Sequence, residues 1–254
     1  IYFQLGQFYS AEKAYKIAMQ AFPDNEGIRF SLFSTYLALD KEDEALELLK
    51  AITPESDYYS KYICYWLEYL LANEHYEEFD SFVEDQKLEE TIPNLDIIDI
   101  RIRRALHSGD FDKTSQLLQQ LKIESPQLKY YKALVLINAG NEKQADSLLA
   151  SLVTSARPEI SVPAYLERLK LIFKKNPKAA IEQLNSYLKQ TSSDIMKAEL
   201  YYTLGFFYYN TGDYPEAIRH LGLARHYETS RELSSRIDIL IAEAFYASGH
   251  KDLA

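Results

Sequence analysis

Along the chain, apolar residues recur three and four apart in short runs, as in Leu32, Phe33 and Tyr36, in Ile102 and Ala105, in Ala133 and Leu136, and in Leu204 and Tyr208. That spacing gathers them on one face of a helix, so each run predicts an amphipathic α-helix. Polar pairs and glycines interrupt the runs. Gly6, Gly109, Gly140, Gly212 and Gly249 each follow an apolar helical stretch and precede a polar pair and a second such stretch. Glycine enters the left-handed conformation that closes a helix without a Cβ penalty, so these positions predict turns between two helices. The unit that repeats is a helical hairpin.

Five residues after each turn stands a small or slender residue, giving the series Ala11, Ala45, Glu78, Thr114, Ala145, Ala180, Ala217 and Ala254. A small side chain there lets the second helix of a hairpin approach the first closely. Glu78 fits poorly. The spacing stays near about 34 residues, the length of two short helices and two turns. Pro23, Pro54, Pro93, Pro126 and Pro158 fall between hairpins, whereas Pro177 and Pro215 suit the first turn of a second helix, where a missing N–H costs nothing. Two copies depart from the pattern: Asn73 stands in the glycine position of one, and Lys175-Asn176-Pro177 replaces the glycine turn of another.

With these anchors the chain resembles the tetratricopeptide repeat family over essentially its whole length. The clearest copy is Tyr201-x-x-Leu204-Gly205-x-x-Tyr208, then Gly212-Asp213-Tyr214, then Ala217, Leu221 and Ala224. The resemblance implies an all-α, right-handed superhelical solenoid of roughly seven stacked helix-turn-helix repeats. Expected limits are 1–25, 26–58, 59–94, 95–125, 126–160, 161–197, 198–234 and 235–254, with partial repeats at both ends and a natural protein that continues beyond them.

Composition narrows the chemistry. The 254 residues carry a net charge of −10, which opposes binding to phosphate backbones and argues against a nucleic-acid partner. Apolar stretches such as Ala133 to Ile137 fall short of the ~20 residues that a membrane helix needs, so no membrane insertion is expected of this segment. His75, His107, His220, His226 and His250 make no metal-ligand spacing, and the solitary glycines form no phosphate loop, so neither a metal nor a cofactor is expected. Cys64 has no neighbouring base to activate it and reads as a small core residue. No catalytic residue is assigned and no enzymatic activity is expected.

The resemblance also implies that the first helix of every repeat lines a concave binding face. Carried over by register, that face takes Phe30, Ser34 and Leu37, then Asp99, Arg103 and His107, then Tyr130, Leu134 and Asn138. Further along it takes Tyr165, Leu169 and Phe173, then Tyr202, Phe206, Tyr209 and Asn210, and finally Arg236, Glu243 and Tyr246. Rings would supply contact area, and Asn138 and Asn210, placed one above the other, would pair a peptide backbone. Tyr130, Asn138, Tyr165, Tyr202, Phe206, Tyr209, Asn210, Arg236, Tyr246 and Arg103 are therefore the candidate partner-binding residues. The Lys and Asn pattern by which chaperone-binding members clamp a terminal carboxylate is missing, since those positions carry residues such as Phe30, Ser34, Tyr165 and Leu169.

Charge is uneven. Residues 1–100 hold 7 basic and 21 acidic side chains, whereas residues 101–254 hold 21 and 17. Such polarity favours steering of a basic partner or self-association through the charged ends. These features predict a non-catalytic scaffold that binds a protein or peptide, with assembly of a cell-envelope complex as its role and the periplasm or envelope, alternatively the cytoplasm, as its location. The alternative is a peptide- or ligand-responsive regulator whose effector domain lies outside the segment.

Overall fold

The computed structural model describes residues 1–88, 95–121, 123–155, 157–228 and 230–250. Among them are fourteen α-helices and no strand. The chain divides into two compact units, 1–122 and 123–254.

In the first unit a short 3-10 turn, Phe3–Leu5, leads into α1 (Phe8–Ala21), α2 (Glu26–Ala38), α3 (Glu42–Lys50), α4 (Tyr59–Ala72), α5 (Tyr76–Asp85), α6 (Leu95–His107) and α7 (Phe111–Gln120). Helices α2, α4 and α6 pack on one another in succession, and α3, α5 and α7 fold back on them as the second arms of hairpins. The core beneath α2 to α5 is dense in large side chains, with Phe33, Tyr62, Leu67 and Phe79 sealed from solvent. Phe33 and Tyr62 lie ring to ring at 4.6 Å.

The second unit repeats the plan with α8 (Pro126–Asn138), α9 (Glu142–Val153), α10 (Pro158–Lys175), α11 (Pro177–Gln190), α12 (Asp194–Asn210), α13 (Tyr214–Tyr227) and α14 (Arg231–Ala247). Here α8, α10, α12 and α14 form the row of first helices, each touching the next. Starts are set by side chains that satisfy orphan N–H groups: Ser125 accepts from Leu128 N, Asn176 from Ala179 N and Ser230 from Leu233 N.

The hairpin register is legible in the turns. Gly140 and Gly212 sit at φ 76° and 80°, and the expected small residues Ala145 and Ala217 are fully buried five positions later. Two turns reach the same conformation without glycine, at Asp40 (φ 53°) and Glu74 (φ 62°). Glu74, not Asn73, is thus the turn residue of its copy, because Asn73 already ends α4 with its side-chain amide donating to Tyr69 O. The correction moves the anchor from exposed Glu78 to Phe79, 2 % exposed, so that hairpin keeps the regular spacing and fills the small-residue site with a ring. At Asn176 no left-handed residue occurs. Its φ of −148° closes α10 and its side chain opens α11, so one residue separates these helices where the other hairpins have three.

Gly205 has a different task. A Cβ there would lie 2.6 Å from Leu221 Cγ and 3.3 Å from Ala217 O, so the residue permits the close approach of α12 and α13.

Candidate interaction site

The residues expected on the first-helix face fall into three groups. On α12 and α14 the named side chains are half-buried or exposed. Tyr202, Phe206 and Tyr209 project at helical spacing from α12 and are half-buried against Leu233, Ile237 and Leu240. Arg236 lays its guanidinium over the Tyr202 ring, 4.5 Å from the centroid. Tyr246 follows Arg236 on the same stripe of α14 and is 60 % exposed, and Ile239, which sequence reasoning passed over, lies between them at 61 %. Its signal was present in the spacing 236, 239, 243, 246, one face of a helix.

The second group is occupied by packing. Tyr130 is half-buried against the cluster of Ala133, Leu149, Leu152 and Ile160. Burial, with the nearby charges of Glu167 and Glu199 adding to it, pushes its phenol well above the ordinary range, so the ring is a neutral filler. Phe173 stacks on Phe207 at 4.2 Å. Tyr165 turns toward α11, where its ring meets Tyr187 at 4.5 Å and its hydroxyl donates to Gln183 O at 3.3 Å. Leu169 is fully buried. Both follow from the shortened Asn176 turn, which shifts the register of α10 against α11 relative to the other hairpins.

Asn138 and Asn210 are not neighbours. Helices α8 and α12 each pack on α10, which ends in Lys174 and Lys175. Lys174 is drawn to Glu142 at 3.0 Å, and Asn210 gives its amide to Phe206 O at 2.8 Å. Asn138 is exposed at the end of α8.

In the first unit, Arg103 ties α6 to α4. Its Nε donates to Asp99 Oδ2 at 3.0 Å and its Nη1 to Glu68 Oε2 at 3.1 Å, with Nη2 also bonded to Glu68. The guanidinium serves as an interhelical strut. His107 faces α5, with Nε2 2.6 Å from Tyr76 Oη. Phe30 closes an aromatic cluster with Tyr58, Tyr62 and Tyr65, while Ser34 bonds back to Phe30 O within its helix. Leu37 is buried.

Two further titratable groups, Cys64 and His220, are held within the packing. Cys64 is half-buried on α4, and burial, with Asp96 and Glu68 nearby, pushes its thiol up to about 11, which leaves it protonated at neutral pH. His220, buried in α13, stacks on Tyr208 at 5.0 Å. Its Nδ1 is 2.9 Å from Glu216 O, which can only accept, so Nδ1 carries the proton and Nε2 accepts from Arg219 at 3.0 Å. Burial lowers its pKa, with the facing Arg219 charge a smaller cause in the same direction. Among the described residues, no group of three His, Cys, Asp or Glu side chains is disposed to hold a metal ion. No described helix is long and apolar enough to cross a membrane.

Residues 2–57 match the family model described as tetratricopeptide repeat. No curated protein matches the chain. Repeats of this family are protein–protein interaction modules, and the fold is typically a non-catalytic scaffold. Residues 2–57 are thus similar to tetratricopeptide repeats, and helical hairpins with the same left-handed turns continue in both units.

Proposed function

We propose that the chain is a non-catalytic interaction scaffold that grips a peptide or partner segment on the first-helix face of α12 and α14. The observation that carries this reading is the Arg236–Tyr202 pair at 4.5 Å flanked by Ile239 and Tyr246, two large apolar side chains more than half exposed on one stripe. Exposed apolar side chains grouped beside an arginine–aromatic pair match the make-up of interaction hot spots. Phe206 and Tyr209 extend the surface along α12. Tyr130, Tyr165 and Arg103 drop out of the binding set, because each is engaged in packing or in an interhelical bridge.

The test is selection of displayed peptides on the immobilised whole chain, followed by titration of the selected peptides against Ile239→Ser and Tyr246→Ser variants. Both side chains are exposed, so the variants retain helicity. Burying either in a complex is worth about 1.5–3 kcal/mol, and each variant should weaken binding by about tenfold or more. Peptides that bind both variants as tightly as the parent chain overturn the assignment.

A further inference from the structure

The face that α14 presents is open where other first helices are covered. Ten residues before their left-handed turns, α2, α4, α8 and α12 carry Phe30, Cys64, Tyr130 and Tyr202. Each of these side chains is half-buried, and each of the four helices packs on the next first helix. Ile239 holds that register in α14, ten residues before Gly249 (φ 90°), and is 61 % exposed. Among the described helices α14 packs on α12 and α13. The cover that such a face takes elsewhere in this fold is a helix laid alongside.

The pattern of α14 says which helix suits it. Ser235, Ile239, Ala242 and Tyr246 recur at spacings of four, three and four, the heptad seam along which two helices pack side by side. Small and large residues alternate along it. When a second α14 lies antiparallel, about a two-fold axis between residues 240 and 241, Ile239 meets Ala242 of the second copy and Tyr246 meets its Ser235. Every layer then sets a large side chain against a small one. Charge agrees with this orientation. Arg236 and Glu243 flank the seam on one side; Arg236 rests on the Tyr202 ring, and neither is held by an opposite charge among the described residues. An antiparallel pair brings the same flanks together, so Arg236 of each copy comes beside Glu243 of the other, offset along the axis by about 3 Å, two residues' rise. That charge-assisted contact is made twice. On the opposite flank Asp238 is already held by Arg225 at 3.0 Å.

We infer that the open face of α14 is a self-association surface that takes α14 of a second copy of this chain, antiparallel across a two-fold axis, which rests on the reading of α14 as an interaction face and names its occupant. The seam of Ser235, Ile239, Ala242 and Tyr246 is buried in the pair, and two Arg236–Glu243 bridges close one edge. Four layers make a small interface, so the association depends on concentration.

Sedimentation equilibrium of the whole chain over a wide concentration range tests it, with the mass expected to rise from one copy to two and no further. Glu243→Lys and Arg236→Glu, each with helicity matching the parent by circular dichroism, set like charges against each other twice, and each should weaken the dimer by about tenfold or more. An equimolar mixture of the two variants should restore it, because every reversed charge then meets its opposite; a variant that had merely misfolded would not be rescued in this way. A single-copy mass at every concentration, growth beyond two copies, a dimer indifferent to both reversals, or a mixture no tighter than its components would each overturn the proposal. A chain that stays single while its selected peptides still bind Ile239→Ser and Tyr246→Ser more weakly also overturns it, but leaves the α14 face standing as the site for another molecule.

Discussion

Two glycines of the α12–α13 hairpin should respond to alanine in opposite directions. At Gly205 a new Cβ would sit 2.6 Å from Leu221 Cγ and 2.8 Å from its Cδ2, with Ala217 O at 3.3 Å. The clash is with the branch point of a fully buried leucine and with backbone, neither of which can swing away. Overpacking of this kind costs about 1–3 kcal/mol, and the short contact to Cγ argues for the upper end. Alanine returns about 1 kcal/mol of helix propensity, so Gly205→Ala should lose about 2 kcal/mol net. At Gly222, inside α13, nothing lies within 4 Å of a Cβ, and Gly222→Ala should gain about 1 kcal/mol from propensity alone. Urea unfolding of the whole chain, followed by helical circular dichroism, reads both changes relative to the parent. Leu221→Ala made on top of Gly205→Ala should cost less than the two singly, because it vacates the space that the new methyl needs. If Gly205→Ala stabilises the chain as Gly222→Ala does, the helices are not in close approach and the assigned register is wrong.

Three further outcomes follow from local chemistry. Glu74 occupies a left-handed turn that disfavours any Cβ, so Glu74→Gly should stabilise the chain by about 1 kcal/mol while Asn73→Gly does not, as thermal unfolding would show. Cys64 should react slowly with iodoacetamide at pH 7–8 and faster as pH approaches its raised value of about 11, and a rapid reaction at neutral pH would mean that the thiol is not buried as described. His220 is held neutral, so below the ordinary imidazole value of 6.5 the unfolded chain takes up the proton first; as the pH drops from there, stability should fall until the lowered folded value is passed, then level off, and His220→Gln should flatten that segment of the pH profile.

The hairpins were readable because their signals are local: a glycine that needs positive φ, an alanine that permits close approach and the three-four spacing of apolar residues. Where a non-glycine residue adopts the left-handed turn, as Glu74 does, composition gives no cue, and the reading slipped by one to Asn73 and Glu78. At Asn176 the turn holds one residue in place of three, and counting through it as a glycine turn placed Tyr165 and Leu169 on a face that they do not occupy. Arg103 looked like a groove cation because one of its partners is distant in sequence: Glu68 comes from α4, and no spacing rule links it to α6.

The most direct test of the interaction face compares the proteins captured from the source cell by the whole chain with those captured by an Ile239→Ser, Tyr246→Ser double variant of matching helicity. Both side chains are more than half exposed, so their loss removes surface and leaves the core intact. Binding on α12 and α14 predicts at least one partner held by the parent chain and missing from the variant. Identical partners on both would contradict it and move recognition to another surface of the molecule.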